Sequence, residues 1–519
     1  MGNLLAIDLG TSSVKVVVTS ANGRVLSRGV ASYPIHNPQS GFAQQDPEEW
    51  WESLRAAISQ AMNAGEIARE SVEAIGLTGQ MHGTLLLDAH GKALTQAIIW
   101  PDRRGAQQAA EINRYFGIGR LMETAGSPAA AGFQAATLLW YKQNRPQIWS
   151  RIGKVTLPKD YLRWRLSGRF TTDPGDASST LLFDIKRRQW SPELLEITGL
   201  IPAQLPSIAA SDTISSRLSK SAAAQLGLTA DIPIATGSGD VACGLLGSGL
   251  TDDQSLLLTI STGGQLALPV SEPNVDGAGR IHTFCSALES STGSMGYFQL
   301  GAILAAGLSL RWLRDQILGD SDRLSYDDLM EMAAQVPQGA DGLLFLPYIA
   351  GARTPHMDSE AKGAFLGLTV QHGRREMVRA VLEGVAMACF DAFQVLAELG
   401  AAPSEIVMAG GGARSLLWRQ IIADIFGLPV RTPLVLEQSA YGAAMLAGGG
   451  IGYHTLKQAA SQWPEYEQPT LPDYIKYEQY LAQYELFKTA YSAAKFDSPK
   501  VASRRRKEGI ERSPNLSKE

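Results

Sequence analysis

Cysteine is scarce in this chain, and its scarcity sets the first bounds. The three present, Cys243, Cys285 and Cys389, lie far apart in apolar surroundings. An odd number spaced in this way builds neither a disulfide framework nor a metal site, so a reducing, cytoplasmic setting is expected. The signatures that announce chemistry by spacing are also missing: no CxxC, no HExxH, no GxSxG and no Walker A glycine-lysine loop. Any nucleotide chemistry must therefore run without a P-loop. Positive charge is not in excess either. The net charge of −5 argues against nucleic acid as the main partner. At the start, Asp8 comes too early for a signal peptide, and Ala6 replaces the hydroxyl residue that a myristoylation signal on Gly2 would want. The uncharged stretch 290–310 begins in Ser, Thr and Gly, and reads as an interior glycine-rich loop running into a helix, with no membrane partner implied.

What is present is an ordinary globular composition, 45% apolar and 19% charged, over 519 residues, too many for one core. Two domains of roughly 250 residues are expected. Near the middle lies PIATGSGDVACGLLGSG, residues 233–249. Its apolar start reads as a short buried strand, broken by Gly237-Ser238-Gly239 and followed by Asp240 and a small-residue helix start. A carboxylate on a glycine turn at the carboxyl end of a strand is where open α/β folds put catalytic groups.

Residues 4–7 form an apolar strand ending in Asp8-Leu9-Gly10-Thr11-Ser12-Ser13, and residues 14–18 are a second, β-branched run. Hydroxyls and backbone N–H groups in such a turn can face a phosphate, and its leading acid can hold Mg²⁺. An ordinary hairpin with a solvated Asp reads the same way, so the residues alone leave both open. The layout recurs later: a strand at 255–260, a turn of Ser261-Thr262-Gly263-Gly264, and a strand at 265–270. One copy of this faint repeat opens each half, about 250 residues apart. Two such turns facing each other across a cleft would cradle a polyphosphate from both sides.

Asp46 and Pro47 suit the start of a helix, Glu49 is placed for a capping box, and Trp50 and Trp51 read as packing residues. A strand at 72–78 runs into Gly79-Gln80-Met81-His82-Gly83, and one at 97–100 opens into Pro101-Asp102-Arg103-Arg104. A histidine in a glycine loop is either a structural hydrogen bonder or a ligand. Two polar groups, His82 and Asp102, at strand ends point toward a binding cleft. Helices are predicted at 106–120, 135–144, 159–166, 301–313, 326–334 and 375–399, with Lys159-Asp160 offering a local ion pair and 172–176 a turn. Gly410-Gly411-Gly412 after a strand at 406–408 fits either close approach to a nucleotide or tight packing. A closing helix spans 474–493. From Ser498 onward, seven basic residues stand against three acidic ones with almost no apolar content, which predicts a disordered tail.

Taken together, these stretches resemble the FGGY carbohydrate kinases. The ordered set that carries the resemblance is IDLGTSSVK (7–15), QDPEEWW (45–51), GQMHG (79–83), LPKDYLRWRLSG (157–168), GSGD (237–240), ARTPH (352–356) and GGGARS (410–415). It covers the chain to about residue 493, and Met81-His82-Gly83 favours the xylulokinase branch over the glycerol kinases. The resemblance implies an α/β fold of two actin/Hsp70-like, ribonuclease-H-type domains around a deep cleft. Residues 1–248 would hold the sugar, the first phosphate hairpin and the catalytic acid; residues 249–495 would hold the nucleotide; residues 496–519 would be the tail. It also implies ATP-dependent phosphorylation of a sugar or polyol hydroxyl, with Mg²⁺, and a homodimer. Asp240 would be the base, and Asp8 the residue that positions metal and phosphate, both near Mg²⁺. Thr11, Ser12, Thr262 and Gly263 would face the ATP phosphates, and Gly411 and Gly412 the nucleotide. Met81, His82 and Trp100 would contact the sugar, with Asp102 and Arg104 beside them.

Two positions depart from the family pattern: Ser261 where the second turn usually begins with Gly, and Val241 where a polar residue usually follows the acid. Within the class, another ketopentose, a polyol or gluconate are alternative substrates. From a different class, a catalytically weak nucleotide-binding protein of the actin-like superfold is the competing reading.

Overall fold

The computed structural model describes residues 2–288, 295–319 and 324–494. The predicted tail lies outside them. Two sheets organise the chain. The first contains β1 (Asn3–Leu9), β2 (Ser13–Ser20), β3 (Val25–Ser32), β4 (Val72–Gly79), β5 (Ile214–Arg217), β6 (Pro233–Ala235) and the short β7 (Ser238–Gly239). Its order is β5-β6-β4-β1-β2-β3, with β7 attached to β4. The second contains β8 (Ser255–Ile260), β9 (Gly264–Val270), β10 (His282–Cys285), β11 (Tyr297–Ile303), β12 (Glu405–Ala409) and β13 (Val430–Arg431), in the order β10-β11-β9-β8-β12-β13.

The repeat read from the sequence is real. In each sheet three strands form an antiparallel meander, β1-β2-β3 and β8-β9-β11, and a parallel strand joins the first of them, β4 to β1 and β12 to β8. The strands are near-continuous apolar runs because both faces are covered; Leu4 through Ile7 are fully buried.

The helices that matter for the site are α1 (Pro47–Ala64), α2 (Pro158–Ser167), α3 (Asp240–Gly247), α4 (Arg374–Glu398) and α5 (Gln438–Gly450). Asp46 caps α1 by accepting from the Glu48 N–H at 2.9 Å, and Trp50 and Trp51 are buried as expected. The capping box does not form, because Glu49 pairs with His36 at 3.0 Å instead. Among the described residues α4 is the one helix long and apolar enough to cross a membrane, and it is mostly buried in the second core.

Helix α5 lies beyond residue 248 in sequence, yet it packs on the first sheet and on α3. Glycine makes that contact: a Cβ on Gly442 would lie 2.0 Å from the Cys243 carbonyl oxygen, and one on Gly76 1.9 Å from that of Ala443. Backbone meets backbone here, so a side chain cannot move aside.

Several predicted elements differ. The helix expected at 301–313 is strand β11 to Ile303, and the helix starts only at Gly307. A short apolar run has no period that tells strand from helix, and pairing with β9 decides it. The stretch 290–310 therefore holds a strand where a loop was expected, its residues 290–294 lying outside the description. The helix at 106–120 is two helices parted at Gly117, whose φ is +77°. The turn at 172–176 is a helix start, with Asp173 capping the Pro174–Ser178 helix.

Gly442→Ala should lower stability by about 1–3 kcal/mol, the usual cost of overpacking. Urea melts against the wild type would show it, and an unchanged midpoint would mean that α3 and α5 separate without cost.

Candidate active site

Strand ends converge at the carboxyl edge of the first sheet. Asp8 on β1 and Ser238 on β7 both pair with Thr78 of β4. The strand that carries Asp8 and the one that leads into Asp240 thus flank one strand, two spacings or about 10 Å apart. Gly237 makes the bend possible: its φ is +71°, and a Cβ there would lie 1.8 Å from the Leu77 carbonyl oxygen. Asp240 is the first residue of α3, and the Val241 N–H donates to its Oδ1 at 2.9 Å. The Val241 side chain is buried in the core, so this departure from the family pattern costs the site nothing polar from the backbone.

Burial first, and then the Asp8 carboxylate, push the Asp240 pKa up to about 7. Asp8 is itself buried and raised, chiefly by desolvation, with Lys15 opposing and Glu437 adding to the shift. Its Oδ1 is buried without a hydrogen-bond partner among the described residues. Two desolvated carboxylates, one with an orphan oxygen, form the donor set that Mg²⁺ takes alongside phosphate oxygens and water. Among the described residues no cluster of three or more His, Cys, Asp or Glu makes an all-protein metal cage.

The first turn is held from below. Gly10 N–H donates to the Ser13 carbonyl at 3.1 Å, and the Gly10 carbonyl accepts the Tyr33 hydroxyl. Gln45 Nε2 donates to the Thr11 carbonyl at 2.6 Å, and Ser12 is exposed. The second turn is closed by the following helix start: the Gly307 N–H donates to the Ser261 carbonyl at 2.8 Å and Leu308 N–H to that of Thr262 at 3.0 Å. Ser261 and Thr262 are exposed, so the extra side chain of Ser261 meets no obstacle.

Ser261 and Thr262 open into a cavity of about 520 Å³, which Gly411, Gly412, Arg311, Tyr326 and Trp418 also line. The glycine run divides its work. Gly410 and Gly412 pack on Ile260, while a Cβ on Gly411 would meet open space. Gly263 stands behind the turn, against the Ile303 carbonyl.

On the other side, Met81 is buried beneath Gly239, next to Asp240. His82 has φ +69° and stacks on Phe133 with ring centroids 4.1 Å apart. Its Nδ1 lies 2.8 Å from the Ser179 carbonyl, so Nδ1 carries the proton. Burial lowers its pKa to about 4, the Ser179 bond opposing and Arg353 assisting, so the ring is neutral and Nε2 is an acceptor. Trp100 is 37% exposed and donates from Nε1 to Thr11 Oγ1 at 3.0 Å.

Asp102 and Arg104 are given to each other. Asp102 is 1% exposed and accepts from Ala43 N–H at 2.6 Å, from Arg104 Nε at 2.9 Å and from Arg104 Nη2 at 2.8 Å. Arg104 also lies over the Phe42 ring. The Asp102 carboxylate and the Arg104 guanidinium thus hold each other in place, beside the residues expected to face the sugar.

Residues 3–247 match the N-terminal domain, and residues 262–450 the C-terminal domain, of the FGGY family of carbohydrate kinases. The chain belongs to that family. This FGGY kinase is a phosphotransferase with a sugar hydroxyl as acceptor, and it has the family's two-domain actin/Hsp70-like fold. It is 36% identical to a xylulose kinase of Escherichia coli (94% of this chain, 98% of that one) and 32% identical to one of Staphylococcus xylosus (95% and 100%). Among solved structures, a xylulose kinase from Brucella ovis superposes with a TM-score of 0.86 at 31% identity (95% and 99%), and a ligand-bound xylulose kinase from Lactobacillus acidophilus with 0.88 at 26% (95% and 98%).

Some of the site was out of reach of the sequence. Gly307, Arg311 and Tyr326 gave no signal, because only folding brings them to the second turn. Gln45 and Gln80, joined at 2.9 Å, are ordinary residues until they lie beneath the first turn.

The raised pKa of Asp240 has a sign that can be measured. Its value is 3.8 when unperturbed and about 7 in the fold, so ionising it costs stability, increasingly as pH rises between those values. Asp240→Asn should raise the Tm of the metal-free, nucleotide-free protein by a few degrees at about pH 8 and leave it unchanged below about pH 4. A gain that did not vary with pH would contradict a desolvated, like-charged setting.

Proposed function

We propose that this FGGY kinase transfers the γ-phosphoryl of ATP to the 5-hydroxyl of D-xylulose, giving D-xylulose 5-phosphate. The observation that carries the chemistry is the placement of Asp240 at a helix start, beside Asp8 and Met81, at the carboxyl edge of the first sheet. The substrate reading is supported by xylulose kinases at 31–36% identity over 93–95% of the chain.

In this reading Asp240 accepts the proton of the sugar hydroxyl as its oxygen attacks phosphorus, and ADP leaves. A carboxylate within hydrogen-bond reach suffices as base, because phosphoryl transfer rests mostly on positioning and charge neutralisation. Thr11 and Ser12 from one turn, and Thr262 and Gly263 from the other, offer hydroxyl and N–H donors to the phosphates. Gly411 and Gly412 let the nucleotide approach the backbone. Asp8, with its orphan Oδ1, and Asp240 would hold Mg²⁺, which supplies charge neutralisation to the phosphates when bound. Met81 and Trp100 form the apolar wall for the sugar, and His82 Nε2 accepts one of its hydroxyls.

A second substrate reading, gluconate, has a specific support: a gluconokinase of Bacillus subtilis is 31% identical over 85% of the chain. ADP release measured over a panel of ketopentoses, polyols and gluconate separates the two. Xylulose should give the highest kcat/KM; a better gluconate would move the specificity, and no sugar-stimulated release at all would sink the kinase reading.

Asp240→Ala should abolish phosphorylation while ATP binding, followed by calorimetry, largely survives; near-normal turnover would remove Asp240 as the base. His82→Ala should raise the KM for sugar about tenfold, the worth of one good hydrogen bond, with the KM for ATP unchanged. A KM for sugar that stayed put would take His82 out of the sugar site.

A further inference from the structure

Behind the site lies a group of charges with no solvent contact. Lys159, Asp160 and Arg163 on α2, and Asp173 and Asp176 at the next helix start, are all 0% exposed. Lys159 Nζ lies 2.6 Å from Asp160 Oδ1, 3.2 Å from Asp173 Oδ1 and 3.6 Å from Asp176 Oδ2. Arg163 donates to the Ala235 carbonyl at 3.0 Å and to that of Thr236, the residues leading into the Gly237 bend. Asp173 reaches the far side of the same bend: its Oδ2 accepts the Ser238 hydroxyl at 2.5 Å. Ser238 is two residues before Asp240, and it is buried. The turn that aims Asp240 is therefore gripped on one side by a buried guanidinium and on the other by a buried carboxylate, and Asp160 and Lys159 connect the two.

Resting on the kinase reading above, we propose that Ser238 is a positioning residue for Asp240, held by Asp173 and, through it, by Lys159. The hydroxyl touches no substrate. It fixes the backbone of Ser238–Gly239 against β4, so the α3 start, and with it the Asp240 carboxylate, has one orientation. A hydroxyl given to a carboxylate is among the stronger neutral-to-charged bonds, and it acts here where water cannot compete. A burial of this kind is not explained by stability alone, because buried charge groups are often no better than apolar packing.

Ser238→Ala removes this link while Asp173 Oδ2 keeps the N–H groups of Gly175 at 2.9 Å and Asp176 at 3.3 Å and the Ser211 hydroxyl at 3.3 Å, so the carboxylate is not orphaned. The control is Ser211→Ala, which takes a hydroxyl from the same carboxylate oxygen but leaves in place the Ser211 carbonyl that accepts the Gly237 N–H at 2.8 Å. Steady-state kinetics with the best sugar and ATP, together with thermal melts, decide the matter. Ser238→Ala should lower kcat at least tenfold, in line with the cost of a small misplacement, with both KM values within twofold of wild type. Ser211→Ala should stay within twofold in every constant. A Ser238→Ala kcat within twofold of wild type, a loss expressed only in KM, an equal loss in Ser211→Ala, or a loss of fold in Ser238→Ala would each overturn the positioning role. Wild-type protein that phosphorylates no sugar would instead overturn the kinase reading, so the two failures are distinguishable.

Discussion

The site depends on keeping two carboxylates close together out of water. Among the described residues neither Asp8 nor Asp240 has an ion-pair partner to settle it; Lys15 and a helix start offset only part of the cost. Such an arrangement is unstable by itself and persists only because the surroundings over-determine it. The first turn is tied to Tyr33 and Gln45, the second carboxylate's turn to Arg163 and Asp173, and both sit on strands that share β4. Unfavourable electrostatics at the two carboxylates and heavy bonding behind them are two sides of one design.

Much of this was legible. Asp8 and Asp240 announced themselves as acids on glycine or hydroxyl turns after apolar strands, and the repeat of strand, turn and strand placed one such hairpin in each half. Those signals are local, and local geometry follows from local residue types. Lys159-Asp160 was legible only as a neighbouring pair; that they meet Asp173 and stand behind Ser238 is a product of tertiary folding. Asp102 was legible as a polar group at a strand end, but its pairing with Arg104, two residues on, was not, because sequence does not reveal which way a side chain turns. The strand at Tyr297–Ile303 was missed because an uncharged apolar run carries no period when both of its faces are buried.

The hydrogen bond from Trp100 to Thr11 links the wall assigned to the sugar with the turn assigned to phosphate. The separation of acceptor and donor sites is thus one of chain segments more than of space. The cavity beside Gly411, by contrast, is lined by residues of the later half alone, while Asp240 belongs to the earlier one.

Helix α5 has a consequence for how the chain comes to be folded. The Tyr441 hydroxyl donates to the Gly23 carbonyl at 2.7 Å, a contact that spans 418 positions, and α5 covers the face of the first sheet that contains Leu4 and Ala6. During synthesis the first sheet emerges hundreds of residues before its cover does. Until residue 450 has left the ribosome, its apolar face must wait bare or be shielded by a chaperone, so the order of translation and the order of burial run in opposite directions.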